Sequence, residues 1–573
     1  MSIRFVPFMK SRLAAYSTDR RGTIAVAFGL TAATAMLTVA VALDYTRALA
    51  SRAELQSAVD AVALRAMQEY STGSRGAALN TSATSYLAAI VHDSTVTLDA
   101  GTPALNAAGT AICASVTRVM PSTLMKVANI NTINLHASAC SSVSGAGTLE
   151  IALVLDTTGS MGNSTSDGST KIAAMRTAAN NFIDYMFDTS PLKANTKMSV
   201  VPFASAVNVG TTYNGASWFD LTGSSSESFK SPAFVRDASI AASRFALFTQ
   251  LKAIKSSWDW TGCVESLPYP RNVTDSPPSS TVPDSYFVPL LAPDEPDSSY
   301  TGPITSTYYD WRSRRYVTTT TTGTIYNSNS YDNSYLDDDK GTCTSSPSGE
   351  TPTDETTKQS RACKYKGVTN PPNSYGGPNI YCYSDSLIRM QSAKTSLKTK
   401  VSGLTDNGDT NIHEGFMWGW RTLSPNAPFS DGRTYNMTTN TKVIVLMTDG
   451  TNTWSSRDNA INRSTYGAYG YYSNANSRLP PTNQNITNST NARAAMDQLT
   501  REACSNARAQ GIIIYTVGFS GRNDPIDTKG RQLLTDCAGD STRAFFTNSS
   551  TGLVSAFATI SAGLGSGNLR LTN

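Results

Sequence analysis

The chain has 573 residues, of which 40% are hydrophobic and 16% charged, against a usual charged share of about 25%. These proportions exclude a coiled coil, a polytopic transporter and a highly charged disordered chain. Residues 1–21 carry five basic side chains and one acidic one, which accounts for the net charge of +4. The remaining 42 basic and 42 acidic residues balance. Because nucleic-acid binding needs clustered Lys and Arg, no nucleic-acid partner is expected.

Residues 22–43 (GTIAVAFGLTAATAMLTVAVAL) form an uncharged apolar stretch. As a helix this stretch is about 33 Å long, which is enough to cross a hydrocarbon core of about 30 Å. The basic side chains before it predict that residues 1–21 form a cytoplasmic tail and that the rest of the chain lies outside. A cleaved signal peptide is the alternative, since residues 40–42 and 48–50 both fit A-x-A, but its apolar region is normally shorter. We therefore predict a retained transmembrane helix.

Residues 44–70 are predicted to continue as a juxtamembrane helix, with an apolar stripe from Tyr45 to Ala66 at near-helical spacing. The run Arg20-Arg21-Gly22 before the span and the run LQSAVDA at 55–61 resemble the N-terminal region of TadG-type Flp pilus (tight adherence) assembly proteins. Pilin-like precursors that are cut after a Gly usually carry Glu five residues further on, and this chain has Ala27 there. We therefore expect the N-terminus to be retained.

The eight cysteines all follow the apolar stretch, an even number in the part predicted to be exported. This distribution favours disulfides in an oxidising compartment over zinc binding, because there is no C-x-x-C pair and the chain has only three His. Proximity in sequence suggests two bridges, Cys113–Cys140 and Cys504–Cys537. Two more bridges are expected within the set Cys263, Cys343, Cys363 and Cys382.

Two folded regions are predicted after the juxtamembrane helix. Residues 71–148 alternate short β-like runs with Gly, Ser and Asn turns, which indicates a small β-containing domain. From residue 149 onward, apolar strands such as LEIALVLD, TKVIVLMTDG and GIIIYTVGF alternate with amphipathic helices. Such alternation predicts an α/β fold with a doubly wound, mainly parallel sheet over 149–573.

The regular pattern lapses between about residues 212 and 385, where aromatic, Pro and Thr residues and four of the cysteines accumulate. A structureless loop of this length would argue against one sheet domain. We therefore predict a small, disulfide-containing subdomain that is inserted into the sheet domain.

A metal-binding constellation is predicted at the strand ends. Asp156-Thr157-Thr158-Gly159-Ser160 directly follows the first apolar strand and matches D-x-[ST]-x-[ST]. The pattern recurs in this Ser- and Thr-rich chain, but only here does it lie between a long apolar strand and an amphipathic helix. Thr410 opens a later helical stretch, and Asp449 ends the strand KVIVLM. Ligands of doubly wound sheets lie at the carboxyl ends of the strands. The candidate ligands are Asp156, Thr158, Ser160, Thr410 and Asp449.

These loops and the strand order resemble a von Willebrand factor A domain with its metal-ion-dependent adhesion site. The family usually has Ser where this chain has Thr158, but Thr keeps the hydroxyl. The resemblance implies a Mg²⁺ (or Mn²⁺) cofactor held by hydroxyls and few carboxylates, which leaves one position for an acidic group of a partner. The alternative is that these Ser and Thr side chains only cap the following helix.

The expected function is that of a non-enzymatic assembly protein. Three His in the whole chain make Ser–His or Cys–His catalysis improbable, and His413-Glu414 lacks the second His of H-E-x-x-H. The resemblance to TadG-type proteins implies a protein partner in a pilus assembly machine, and no small-molecule substrate. It also implies a bacterial inner-membrane location with the bulk of the chain in the periplasm. A minor pilin-like subunit or a surface adhesin that carries the A domain is the alternative.

Overall fold

The computed structural model describes residues 23–565 and 571–572, except for 72–73, 107–110, 143–146, 191, 231–236, 238, 297–298, 311–314, 327–330, 332, 339, 344–354, 369–375, 438, 458–459 and 474–475. The predicted cytoplasmic tail, residues 1–21, lies outside the described residues. The chain divides into two compact units. The first unit comprises Met1–Ala146 and Gly567–Asn573, and the second comprises Gly147–Ser566.

A single long helix, α1 (Thr23–Ser71), covers both the predicted span and the predicted juxtamembrane helix without a break. By length and composition it contains one stretch that is apolar enough to cross a membrane. Its apolar side chains are exposed along the first part, as at Phe28 and Met36, and buried further on, as at Val59 and Val62. The helix therefore changes its surroundings along its length, from bare apolar surface to protein core.

The rest of the first unit packs a small sheet against the second half of α1. Its remaining elements are helix α2 (Gly76–Ile90) and strands β1 (Val96–Leu98), β2 (Ala104–Leu105), β3 (Ala111–Pro121) and β4 (Thr132–Ser142). Helix α2 was not expected in residues 71–148. The antiparallel β3–β4 pair is joined by the Cys113–Cys140 disulfide, at directly opposed positions. Strand β15 (Leu571–Thr572) pairs with β4, so the chain end belongs to this unit and not to the predicted 149–573 domain.

The second unit contains the predicted α/β sheet. Its strands are β5 (Thr148–Asp156), β6 (Thr196–Phe203), β11 (Ile388–Gln391), β12 (Asn440–Thr448), β13 (Ile513–Phe519) and β14 (Ala544–Thr547). Their order in the sheet is β11-β6-β5-β12-β13-β14. Strands β6, β5, β12, β13 and β14 run parallel to one another, and β11 is antiparallel to β6. The strand ends of β5 and β12 therefore meet at one edge.

Helices cover both faces of the sheet, as the doubly wound prediction requires. The described helices of this unit are α3 (Lys171–Asp184), α4 (Arg244–Ile254), α5 (Glu355–Ser360), α6 (Lys394–Gly403), α7 (Ile412–Leu423), α8 (Ser489–Ala509), α9 (Thr528–Ala538) and α10 (Ser550–Gly565). Along β5, Val154 faces the core formed by α7, α8 and α9, while Leu153 faces the core formed by α3, α6 and α10.

The predicted insertion is fused to the sheet domain and does not form a separate subdomain. It contains the short antiparallel pair β7 (Val207–Asn208) and β8 (Cys263–Val264) and the hairpin β9 (Ser299–Asp310) and β10 (Arg315–Tyr326). Trp218, Trp260 and Phe287 from this region belong to the same buried cluster as Trp418 of α7. The aromatic side chains therefore extend the main core outward. The prediction of a disulfide-containing insertion in the sheet domain is confirmed.

Candidate metal centre

The three predicted loops meet at the carboxyl edge of the sheet. The backbone N–H of Gly159, in the loop after β5, donates to the carbonyl of Gly408 at 3.0 Å. The N–H of Asn407 donates back to the carbonyl of Thr157 at 2.9 Å. The Ser160 hydroxyl donates to Asp449, just after β12, at 2.8 Å. Segments that are nearly 300 residues apart in sequence are therefore hydrogen-bonded around one point.

Four of the five predicted ligands form a continuous row of oxygen atoms. The Thr158 hydroxyl donates to Asp156 Oδ1 at 2.6 Å and lies 3.1 Å from the Ser160 hydroxyl. The row ends at Asp449 Oδ1, 2.8 Å from Ser160. Its two carboxylates are both buried, at 0% and 1% exposure. The structure thus brings Asp156, Thr158, Ser160 and Asp449 together.

The fifth predicted ligand, Thr410, is held in the adjoining loop by its backbone. Its N–H donates to the Thr453 hydroxyl at 2.7 Å, and its carbonyl accepts from the Thr453 N–H at 2.8 Å. Thr453 follows Asp449 on the loop after β12, so Thr410 is tied to the same edge. Among the described residues, no hydrogen bond joins the Thr410 hydroxyl to the oxygen row. Its role as a ligand therefore stays a prediction.

Close approach of α7 to the sheet fixes the position of this loop. A Cβ atom on Gly415 would lie 2.5 Å from ring atoms of Phe203, and a Cβ on Gly419 would also collide with the sheet. The N-terminus of α7 is capped by Asn411, whose side chain accepts from the Glu414 N–H at 3.1 Å. The two glycines therefore let α7, and the Thr410 loop before it, lie directly against β5 and β6.

The spacing of the oxygen row fits a small divalent cation. Ligands at right angles around an ion at 2.0–2.1 Å are about 2.9 Å apart. The Thr158–Ser160 and Ser160–Asp449 separations of 3.1 and 2.8 Å are close to that value. In the part of the chain that is described, no group of three or more His, Cys, Asp or Glu side chains is suited to a metal. The oxygen row itself consists of two hydroxyls, from Thr158 and Ser160, and two carboxylates, from Asp156 and Asp449.

The sequence analysis missed a buried lysine at this edge. Lys171, the first residue of α3, donates to Asp449 Oδ2 at 2.7 Å and to Asp524 Oδ2 at 2.9 Å. The lysine and Asp449 side chains are fully buried, whereas Asp524 is half exposed. One carboxylate of the oxygen row is therefore already paired with a positive charge.

The pKa shifts at this edge follow from burial and from the charges packed together. Burial raises the pKa of Asp156, against hydrogen bonds from Thr158 and Thr448 that lower it. Burial also raises the pKa of Asp449, and the Asp156 charge raises it further, while Lys171 opposes the shift. Burial alone would lower the pKa of Lys171, but Asp449 and Asp524 leave it above its usual value. The raised pKa values mean that burial disfavours the charged forms of both carboxylates.

Two sequence signals point to Lys171 and Asp524. A lysine in the first turn of a helix is disfavoured by the helix macrodipole. Lys171 at the start of α3 therefore suggests that an acidic side chain lies nearby. Asp524 follows β13, the sheet neighbour of β12, and thus lies at the same carboxyl edge. Gly521 completes the arrangement, because a Cβ there would lie 2.9 Å from the Lys171 Cε.

A second copy of the motif shows what distinguishes the site. Asp220, Thr222 and Ser224 have the same spacing, and Asp220 Oδ1 accepts from the Thr222 and Ser224 N–H groups at 3.3 and 3.0 Å. Its Oδ2 accepts from the N–H of Ser225 at 3.0 Å and from the hydroxyl of Ser228. Among the described contacts, no second carboxylate bonds to the Thr222 or Ser224 hydroxyls. This loop is a closed turn.

All eight cysteines are paired. Two bridges, Cys113–Cys140 and Cys504–Cys537, are those that proximity in sequence suggests. The middle four pair as Cys263–Cys382 and Cys343–Cys363. The Cys504–Cys537 bridge joins α8 to α9.

Comparison with known proteins bears on both units. Residues 22–69 match the Flp pilus-assembly TadE/G-like family, so the chain carries a TadE/G-like segment there. No curated protein matches the chain.

Solved structures that match this chain do so only with low identity and low TM-scores, as three of them illustrate. The pilus adhesin SpaC from Lactobacillus rhamnosus GG is 11% identical with a TM-score of 0.30, over 80% of this chain and 33% of SpaC. The vWF domain of the type V pili tip protein Mfa5 from Porphyromonas gingivalis is 9% identical with a TM-score of 0.31, over 74% and 97%. The PilB minor pilin from Streptococcus sanguinis is 12% identical with a TM-score of 0.33, over 83% and 78%. This chain thus spans about a third of SpaC. The α/β assignment of the second unit is carried by its own strand order.

Proposed function

We propose that this protein is a membrane-anchored, non-enzymatic assembly protein of an Flp pilus that binds a divalent cation, Mg²⁺ or Mn²⁺, at Asp156, Thr158, Ser160, Thr410 and Asp449. Through that cation it binds an acidic group of a protein partner. The observation that carries the proposal is the row of four oxygens with spacings of 2.6, 3.1 and 2.8 Å.

The chemistry of the donor set supports an acidic partner. Neutral hydroxyls donate less electron density than carboxylates, and Lys171 offsets part of the charge of Asp449. A hard cation in such a site remains attractive to a further oxygen anion. A carboxylate side chain of a partner supplies that charge.

The location is proposed from the charges and the disulfides together. Lys10, Arg12, Arg20 and Arg21 precede the apolar stretch, which favours a cytoplasmic N-terminus in the inner membrane. The four disulfides all follow it, as expected for a chain whose bulk is in the oxidising periplasm.

Non-enzymatic action is supported by the surroundings of His413, the histidine nearest the site in sequence. It is fully buried, its Nε2 donates to the carbonyl of Asn272 at 2.8 Å, and its Nδ1 lies 2.7 Å from the Tyr469 hydroxyl. Burial lowers the pKa of His413 to about 4. Both ring nitrogens are used within the protein, so this residue is not placed to act as a general base.

Metal binding by the full chain in detergent tests the proposal. Mn²⁺ binding is measured by electron paramagnetic resonance for the parent protein, for Ser160→Ala, and for the matched control Ser224→Ala in the closed turn. We expect Ser160→Ala to weaken Mn²⁺ binding by about tenfold, or about 1.4 kcal/mol, with no change for Ser224→Ala. Equal binding by all three proteins contradicts the metal role.

Fractionation separates the assembly role from the adhesin alternative. An assembly protein remains with the inner membrane after filaments are sheared from the cells, whereas a tip adhesin or minor pilin appears in the sheared filaments. Recovery of this chain mainly in the filaments would favour the alternative.

A further inference from the structure

The turn between β3 and β4 is fastened to one residue of α1. Asp44 is 1% exposed, and its carboxylate accepts from the backbone N–H groups of Thr123, Leu124 and Met125 at 3.1, 2.9 and 2.9 Å. Arg47, one turn further along α1, donates to the Thr123 hydroxyl. The carboxylate thus caps a short 3₁₀ turn, Met125–Ala128. Asp44 is also the first charged residue after the uncharged stretch 22–43.

The hairpin runs along α1 in one direction, from this turn to the far end of the helix. Arg118 donates to the Ser51 hydroxyl at 2.7 Å, and the Gln56 side chain donates to the carbonyl of Ser138 at 3.2 Å. At the base of the hairpin, Ile112 shares a buried cluster with Met67. Between Asp44 and Met67 the helix rises about 35 Å. The tip of the hairpin is therefore held beside the part of α1 that directly follows the apolar stretch 22–43.

This tip exposes apolar side chains. Val127 is 88% exposed, and Leu124, Ile130 and Val119 are 39%, 42% and 44% exposed. The exposed Lys126 lies between them. Most turns of this kind carry polar residues, and an exposed cluster of apolar side chains marks an interaction surface. We call residues 122–131 the tip loop.

We propose that the tip loop lies in the interface of the lipid bilayer, on the side where α1 leaves the membrane. This inference rests on the proposed anchoring by α1. The tip loop is bonded to Asp44, and the nearby α1 side chains Leu43, Tyr45 and Leu49 are 50%, 61% and 48% exposed. Apolar side chains beside a basic one are typical of interfacial membrane contact, with the ammonium directed to anionic headgroups.

Such a contact gives the first unit a second attachment to the membrane. A single helix leaves a domain free to tilt, whereas a helix and a loop about one helix diameter apart define a plane. The Asp44 carboxylate is the link, because it holds the tip loop beside the point on α1 where the uncharged stretch 22–43 ends.

The test uses the full chain in vesicles of phosphatidylcholine and phosphatidylglycerol. Because no free cysteine is present, a single new cysteine can be labelled with an environment-sensitive fluorophore. Three sites are compared: Val127→Cys in the tip loop, Met36→Cys in the span, and Leu105→Cys on β2, which pairs with β3 at the base of the hairpin. Val127 and Leu105 are both exposed, so neither change disturbs the core.

We expect headgroup-attached nitroxide lipids to quench the label at 127 about threefold more than the label at 105. Quenching by acyl-chain nitroxide at 36 reports the anchoring separately. Quenching at 36 without quenching at 127 overturns the tip-loop proposal and leaves the anchor intact. An emission shift at 127 that depends on protein density and not on nitroxide lipid assigns the loop to a second copy of the chain, and also overturns it. Absence of quenching at 36 overturns both proposals.

Discussion

Replacing Lys171 with methionine tests how charge is balanced at the candidate metal centre. Methionine keeps most of the length of the side chain, so its packing against Gly521 is largely preserved, while the ammonium is lost. Asp449 then has no cationic partner among the described residues, although it keeps the hydrogen bond from Ser160 at 2.8 Å. Asp524 is half exposed and regains water. The loss of the ammonium therefore destabilises mainly the buried Asp449 carboxylate.

The magnitude follows from burial. Removing one partner of a buried ion pair costs about 3–5 kcal/mol, and only one of the two contacts is fully buried, so we expect about 3 kcal/mol. A bound divalent cation supplies the missing charge. At a free Mg²⁺ concentration of about 100 times Kd, binding stabilises the folded state by about 2.7 kcal/mol. The Lys171→Met protein is therefore expected to have a low free energy of unfolding without Mg²⁺ and to recover most of it with Mg²⁺. The parent gains less, because Lys171 already balances the charge of Asp449.

Tryptophan fluorescence during urea unfolding is the assay, because all seven tryptophans lie in the second unit. The matched control is Lys442→Met. Lys442 is also a buried lysine, 2.5 Å from Glu150 Oε2, but it lies at the amino end of the same strands. The Lys442→Met protein should lose stability and gain no more from Mg²⁺ than the parent does. Equal Mg²⁺ responses in the parent and in Lys171→Met, or equal recovery of the Lys442→Met protein, would refute the reasoning.

Two further predictions concern stability. Replacing Cys504 and Cys537 by Ala releases a loop with a sequence separation of 33 residues, which should lower the free energy of unfolding by about 4 kcal/mol through the entropy of the unfolded chain; an unchanged urea midpoint would contradict this. His413 is held neutral, with a folded-state pKa of about 4 against an ordinary value of 6.5. As the pH falls, the unfolded chain protonates this histidine before the folded protein does. The contribution of His413 to the free energy of unfolding is therefore fully present above pH 6.5 and falls by about 3 kcal/mol as the pH drops towards 4. The His413→Gln variant should show a shallower slope over that range in urea unfolding, and parallel slopes would show that other groups cause the loss.

The strands of the second unit were predictable because they are buried on both faces. An apolar run such as Leu149–Leu155 has few other places in a soluble fold, and the residue after it, Asp156, must then lie at a strand end. The same argument applies to β12 and Asp449. Strand ends of a parallel sheet share an edge, so convergence of the metal loops follows from topology alone.

The Lys171–Asp524 contact could not be read from local pattern, because it joins residues more than 350 positions apart through the order of two neighbouring strands. Helix α2 was missed for a different reason. Its Ser, Thr and Asn residues are typical of turns, but its Ala residues favour a helix, and Leu79, Ala83 and Leu87 are buried in the first unit. The packing of the inserted aromatic residues on α7 could not be predicted, because it joins residues that are far apart in sequence.

The position of the chain end changes how the two units are related in folding. Strand β4 finishes at Ser142, but its partner β15 is made of Leu571 and Thr572. The sheet of the first unit is therefore completed only after the whole second unit has been synthesised. Domains generally fold as units during synthesis, and a free sheet edge is a site for wrong pairing. Pairing with β15 covers the β4 edge only after residues 571–572 have been made, so this strand joins the sheet of the first unit after the second unit has been synthesised.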